Sequence, residues 1–202
     1  MTKDKSRAVR TWNFGFASSF DIRASKFQVE DAFTLIELLL VIIIIIVLAG
    51  LVLATSGYVA TKGRRSRAEA EIAAMSAALE SYKADNGIYP QSSETNSLDP
   101  TSINLTSYQA ASLKLYEFLS GDSNDDRTVD TKSYFAFKPN QLSPSDQAQH
   151  VTFIRDPFGN SYGYSTAKAS NPAGTIGYNP TFDLWSVADD TTGNQNKWIK
   201  NW

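Results

Sequence analysis

The pattern of apolar and polar positions is dominated by one long run. From 38 to 54 no side chain is charged and only Gly50 interrupts the hydrophobic residues; the uncharged stretch continues to Thr61, just before Lys62. Roughly 20 apolar residues cross a bilayer as a helix. A helix over 38–60 would be about 35 Å long at about 1.5 Å per residue, enough to cross with some tilt. Positions 42–46 are all isoleucine, β-branched and poorly suited to a helix in water. In lipid the backbone must satisfy itself, so the run is expected to be helical. The periodicity then changes. Ile72, Met75, Leu79 and Tyr82 recur at spacings of three and four, which predicts that the helix continues over 58–86 with one face toward a core. Arg65–Glu69 and Arg67–Glu71 are placed for pairing four apart on the solvated face. Asn86-Gly87 is a stop signal. Gly50, Gly57 and Gly63, each worth up to about 1 kcal/mol against helix, mark its weakest part.

Beyond Pro90 the elements shorten. A Ser/Thr/Asn-rich connection covers 91–107. Residues 108–119 predict a short helix with Ala111, Leu115, Phe118 and Leu119 on one face. The aromatic stretch 134–137 reads as a strand, and the Pro/Ser/Gln-rich 139–149 as a surface loop. Residues 151–154, 161–165 and 182–187 read as strands, with a turn at 156–160. The expected fold class is α+β: a long N-terminal helix packed on a small C-terminal antiparallel sheet.

The chain has 202 residues, room for one soluble domain beyond a membrane helix. It contains no cysteine, so no disulfide or thiolate metal site is expected and the redox compartment stays open. Net charge is −2, which gives no reason to expect nucleic-acid binding. Residues 1–32 form a polar segment carrying Lys3, Lys5, Arg7, Arg10, Arg23 and Lys26 against Asp4, Asp21, Glu30 and Asp31. A secretory signal would place its small-residue cleavage site after the apolar core; here Ala32 precedes it. Basic residues mark the cytoplasmic side of a span, but Lys62, Arg64, Arg65 and Arg67 follow the run as densely as others precede it. Charge alone leaves the orientation open. Glu37 is a carboxylate at the edge of the run. It reads either as a headgroup-level residue favoured by the helix dipole or as a functional intramembrane charge.

Candidate chemistry is sparse. Asp122, Asn124 and Asp126 fit the first half of an EF-hand loop, but Arg127 stands where glycine is needed and Ser133 where glutamate is; a solvated turn is the better reading. Gly159-Asn160-Ser161-Tyr162-Gly163 matches a nucleophile elbow in letters only. That motif needs strand–turn–helix context and a later histidine, whereas His150, the single histidine, comes before it. No catalytic residue is assigned, and no enzyme activity is expected.

Three motifs carry a family resemblance. Phe33-Thr34-Leu35-Ile36-Glu37 ahead of the apolar run resembles the mature start of type IV pilins and type II secretion pseudopilins. Tyr82-Lys83-Ala84-Asp85-Asn86-Gly87-Ile88-Tyr89-Pro90 is similar to a signature of the major pseudopilins of type II secretion. Asp156-Pro157-Phe158-Gly159-Asn160-Ser161-Tyr162, Phe182-Asp183-Leu184-Trp185-Ser186 and Ile199-Lys200-Asn201-Trp202 resemble their C-terminal sheet and calcium loop. The resemblance implies a pilin-like fold and a leader, 1–32, removed by prepilin peptidase between Ala32 and Phe33, where the family has glycine before the cut. It further implies N-methylation of Phe33, a filament-core helix over 33–61 and a soluble domain over 62–202, with a variable middle at 87–150 and a β region at 151–202. Glu37 is the implied assembly residue, pairing with the Phe33 amine of a neighbouring copy. The implied partners are copies of the chain in a helical filament, prepilin peptidase and the inner-membrane secretion assembly platform. The implied location is the inner membrane, N-terminus cytoplasmic and C-terminal domain periplasmic, and then the pseudopilus. Calcium is the implied cofactor, through Asp183, Ser186 and Asp190. Lys197 stands where a further acid is expected and could pair with Asp190 instead. A type IV pilus subunit is the near alternative; a bitopic membrane-anchored binding module, with carbohydrate as its ligand class, is the alternative of a different class.

Overall fold

The computed structural model describes residues 33–190 and 192–202. The chain divides into two compact units, Met1–Leu48 and Ala49–Trp202, and the predicted cleavage residue Ala32 lies outside the described residues.

The first helix, α1, runs from Leu35 to Asn86, 52 residues without interruption. Its start is set locally. Thr34 N–H donates to Glu37 Oε2 at 2.9 Å, and Glu37 N–H returns a bond to Thr34 Oγ1 at 3.3 Å. This reciprocal pattern satisfies N–H groups that an open helix end leaves unpaired. Apolar side chains between Leu38 and Leu53 remain 48–75% exposed. Among the described residues α1 is the one helix long and apolar enough to cross a membrane.

In the second unit α1 presents the predicted stripe. Ala68, Ile72, Met75, Ala78 and Leu79 are buried, and Tyr82 is half-buried against Phe118 and Tyr134. Arg67 Nε pairs with Glu71 at 2.8 Å. Arg65 does not join Glu69; its guanidinium donates to the Lys197 carbonyl at 2.6 Å. The helix stops where expected. Gly87 takes φ +81 and its N–H closes onto the Lys83 carbonyl, a conformation that costs glycine least.

The connection after Pro90 holds a one-turn helix, α2 (Ser93–Asn96), closed by reciprocal Ser92 and Thr95 bonds. Helix α3 (Leu105–Ser120) starts three residues before the apolar pattern predicts, because Asn104 caps it by accepting from Ser107 N–H. It ends at Gly121, φ +76, where a Cβ would lie 2.8 Å from the Thr131 carbonyl oxygen.

The strands are short. A ladder of β1 (Leu142–Ser143) and β2 (Phe153–Ile154) pairs antiparallel, and β3 (Gly163–Ser165), β4 (Asp183–Ser186) and β5 (Ile199–Lys200) form a second antiparallel sheet in the order β3-β4-β5. A one-turn helix, α4 (Ala167–Ser170), follows β3. Two further sequence expectations are corrected. Residues 134–137 are not a strand: the N–H groups of Tyr134 and Phe135 both donate to the Leu119 carbonyl, and Phe137 stacks at an angle on Tyr116. Those aromatic residues cover the end of α3 instead of pairing. The stretch 139–149 is not all loop, since a 3₁₀ turn (Pro139–Gln141) leads into β1.

The α1 stripe packs with Leu115, Leu119, Ile154, Tyr162, Tyr164 and Leu184 in the larger core. A smaller core gathers Leu98, Tyr108, Trp185, Val187 and Trp198. Gly163 opposes Trp185 across the ladder, and a Cβ there would meet the indole at 2.2 Å.

Candidate assembly segment and C-terminal loop

Two places hold the residues singled out by sequence. At the start of α1, Phe33 is 82% exposed and Glu37 is exposed. The Glu37 carboxylate accepts from both the amide and the hydroxyl of Thr34, at 2.9 and 2.7 Å. Both bonds are local and at the surface. They hold the carboxylate against the first turn of its own helix.

The C-terminal candidates engage three different sets of partners. The two Asp183 oxygens accept from the amides of Tyr178 and Asn179, at 2.8 and 2.9 Å, which closes the loop before β4. Burial raises the Asp183 pKa and these amides oppose the rise. Ser186 donates to Asp156 Oδ2 at 2.5 Å. Asp190 accepts from Thr192 Oγ1 at 2.6 Å and from the amides of Thr192, Gly193 and Asn194. The Trp198 indole N–H adds a fifth donor at 3.2 Å. The Thr192 hydroxyl, then the indole and the amides, hold the Asp190 carboxyl down at about 2. Lys197 makes no ion pair with Asp190 among the described residues. The neighbouring Trp198 takes that place, and the Lys197 carbonyl receives Arg65.

Calcium needs six to eight oxygen atoms around one point. Here Asp183 and Asp190 are turned to protein N–H and O–H donors, and the Ser186 hydroxyl points its proton at Asp156. As arranged, these residues do not fit a calcium cage.

Sequence reading placed Asp156 in a turn of the resembling C-terminal segments but did not single it out as a residue that holds the loop together. It is buried, takes the Ser186 hydroxyl and the amides of Phe158 and Asn160, and lets Asn160 reach the Ala188 carbonyl at 2.7 Å. Burial raises its pKa against those bonds, Ser186 foremost. The Asp-Pro-Phe-Gly-Asn turn was legible in sequence; its tie to 186–188 is a long-range fact.

The other candidates resolve simply. Asp122 accepts from Tyr116 Oη and the amides of Asn124 and Arg127, so the acidic loop is folded on its own backbone. Arg127, at φ +72, donates to the carbonyls of Pro144 and Gln149. Ser161 is buried, donates to the Tyr162 carbonyl and leads into β3. A His150 ring nitrogen meets the Asn124 carbonyl.

Compared with family models, curated proteins and solved structures, the chain matches none of them.

Proposed function

We propose that the chain is a structural subunit of a type II secretion pseudopilus, processed by prepilin peptidase and assembled through its N-terminal helix to support protein secretion. The observation that carries this reading is the division of labour along α1. Its first half is apolar and exposed through a membrane length, while its second half buries a stripe in an α+β unit. Such a first half is stable only in lipid or against other helices, because exposed apolar area of this size is unfavourable in water. A helix of this kind is stored in the bilayer, extracted, and buried again against copies of itself. The motif beginning at Phe33 adds the processing step, and Glu37 the pairing group. Two partly desolvated charges cost less together than apart.

The test is N-terminal sequencing of membrane-extracted protein made with a prepilin peptidase. The expected first residue is Phe33, and Ala32→Lys is expected to leave the leader attached. Mature protein of normal size from that variant would refute the processing assignment. A type IV pilus subunit passes the same test. Complementation separates the two: restored secretion supports the pseudopilus, and restored pili the alternative.

One observation favours the binding-module reading. Tyr178 is 43% exposed and is backed by Trp202, stacked on it with centroids 4.7 Å apart, an exposed, supported ring of the kind that sugars stack upon. That reading predicts retention of 1–32, so the same sequencing experiment decides against one of the two.

A further inference from the structure

A cleft of about 340 Å³ opens in the second unit between α1 and the turn after β2, lined by Arg64, Arg67, Asn140, Arg155, Asp156 and Gly159. Arg64 and Arg67 are three apart on α1 and share a face. Arg155 comes from the far side, its backbone pinned by its N–H to the Gln141 carbonyl at 2.7 Å and by a bridge to Ser161. Two acids are near. Glu71 meets Arg67 through Nε and also accepts from Tyr162. Asp156 is buried, and its carboxylate is turned to Ser186 and the turn amides. Neither neutralises Arg64, which is exposed and has no protein partner among the described residues, nor Arg155, whose side chain donates only to the Asn140 carbonyl at 3.3 Å. The cleft is therefore net positive.

Its depth along α1 names the ligand. About 20 residues cross the hydrocarbon, so a span beginning near Leu38 leaves it near Tyr58. The Arg64 Cα then lies about 9 Å further on at about 1.5 Å per residue, just past a headgroup layer about 5–7.5 Å deep, and its long side chain can reach back into that layer. Phosphate oxygens are held there at high local concentration, and guanidinium forks match them in pairs. We propose that this cleft binds the phosphate of an anionic phospholipid at the face where α1 leaves the bilayer. This also gives the basic residues after the apolar run a role that does not depend on the orientation rule. The inference rests on α1 crossing a membrane, not on leader cleavage or filament assembly. Its failure therefore leaves the processing test untouched.

The test uses the full chain in non-ionic detergent micelles, titrated with short-chain phosphatidylglycerol, short-chain phosphatidylcholine or inorganic phosphate, with bound species counted by native mass spectrometry. Phosphatidylglycerol is expected to bind at least about tenfold more tightly than phosphatidylcholine, since a basic side chain near an anionic headgroup contributes about fivefold. Arg64→Gln and Arg155→Gln are each expected to weaken it about fivefold, and Arg155→Lys less, through loss of the fork alone. Lys138→Gln should match the parent chain, and unchanged circular-dichroism melts show that the variants are folded. Equal binding of the two lipids, or arginine variants that bind like the parent, overturns the proposal. Inorganic phosphate displacing phosphatidylglycerol at equal concentration reassigns the cleft to free phosphate and overturns the lipid source. Concentration-dependent self-association lost in Arg155→Gln, without lipid preference, assigns the cleft to acidic side chains of a second copy and overturns it too.

Discussion

Tyr162→Phe removes one oxygen atom from the join between α1 and the β region. The phenol is fully buried and donates to Glu71 Oε2 at 2.7 Å, and Glu71 is itself 9% exposed. A hydrogen bond to a charged group contributes about 1.5–3 kcal/mol. Arg67 stays on the other carboxylate oxygen, but its side chain is 47% exposed, so that pair contributes under about 1 kcal/mol and does not replace the phenol. The expected loss is about 2 kcal/mol, near 5 °C in Tm for a domain of this size. In a Glu71→Gln background the same bond is neutral to neutral, and Tyr162→Phe should cost about half as much. Burial and the nearby Glu71 carboxylate push the phenol pKa well up, so the loss should be the same at pH 6 and pH 9. The assay is urea unfolding of the fragment from Lys62 onward, followed by tryptophan fluorescence. That fragment holds the whole described core, from Ala68 to Ile199. A loss below about 0.5 kcal/mol, or an equal loss in both backgrounds, would refute the reasoning.

Gly163→Val should destabilise the fragment by about 1–3 kcal/mol or more, because its side chain enters the space of the buried Trp185 ring; a Tm within a degree of the parent would overturn the close-packed register. Asp190, held at about 2 by the Thr192 hydroxyl and its other donors, binds protons less readily folded than unfolded, where its pKa is about 3.9. Its contribution is therefore complete above about pH 5 and is lost as pH falls toward 2. Asp190→Asn should flatten the Tm profile between those limits relative to the parent, while the raised Asp156 and Asp183 act in the opposite direction in both proteins. Millimolar calcium should leave the Tm of the fragment unchanged, since a ligand of the folded state must raise it; a rise that disappears in Asp190→Ala would show that the loop rearranges to take the ion. Glu37→Val should insert and be cleaved normally yet give no filaments, scored by electron microscopy in a strain without the parent copy; filaments at parental yield would remove the pairing role.

What could be read from sequence was what local periodicity decides. The apolar run, the stripe from Ile72 to Leu79 and the stop at Gly87 all follow from one helix and its nearest turns, and the structure reproduces them. The start of α1 is equally local, because Thr34 and Glu37 are three residues apart. Short strands behave differently. Nothing in Leu142-Ser143 marks a strand until Phe153-Ile154 lies beside it, and the strand-like aromatics at 134–137 found a carbonyl at the end of α3 instead. The C-terminal loop shows the same limit at the level of single side chains. Sequence offered Lys197 as the partner of Asp190, on charge. The folded loop gives Asp190 the Trp198 indole and backbone amides, and sends Ser186 to Asp156, 30 residues away. A carboxylate takes the donors that chain closure brings within about 3 Å, and closure is a property of the whole fold. Helical spacing is written residue by residue; the choice of partner across a loop or a ladder is made only when distant segments meet.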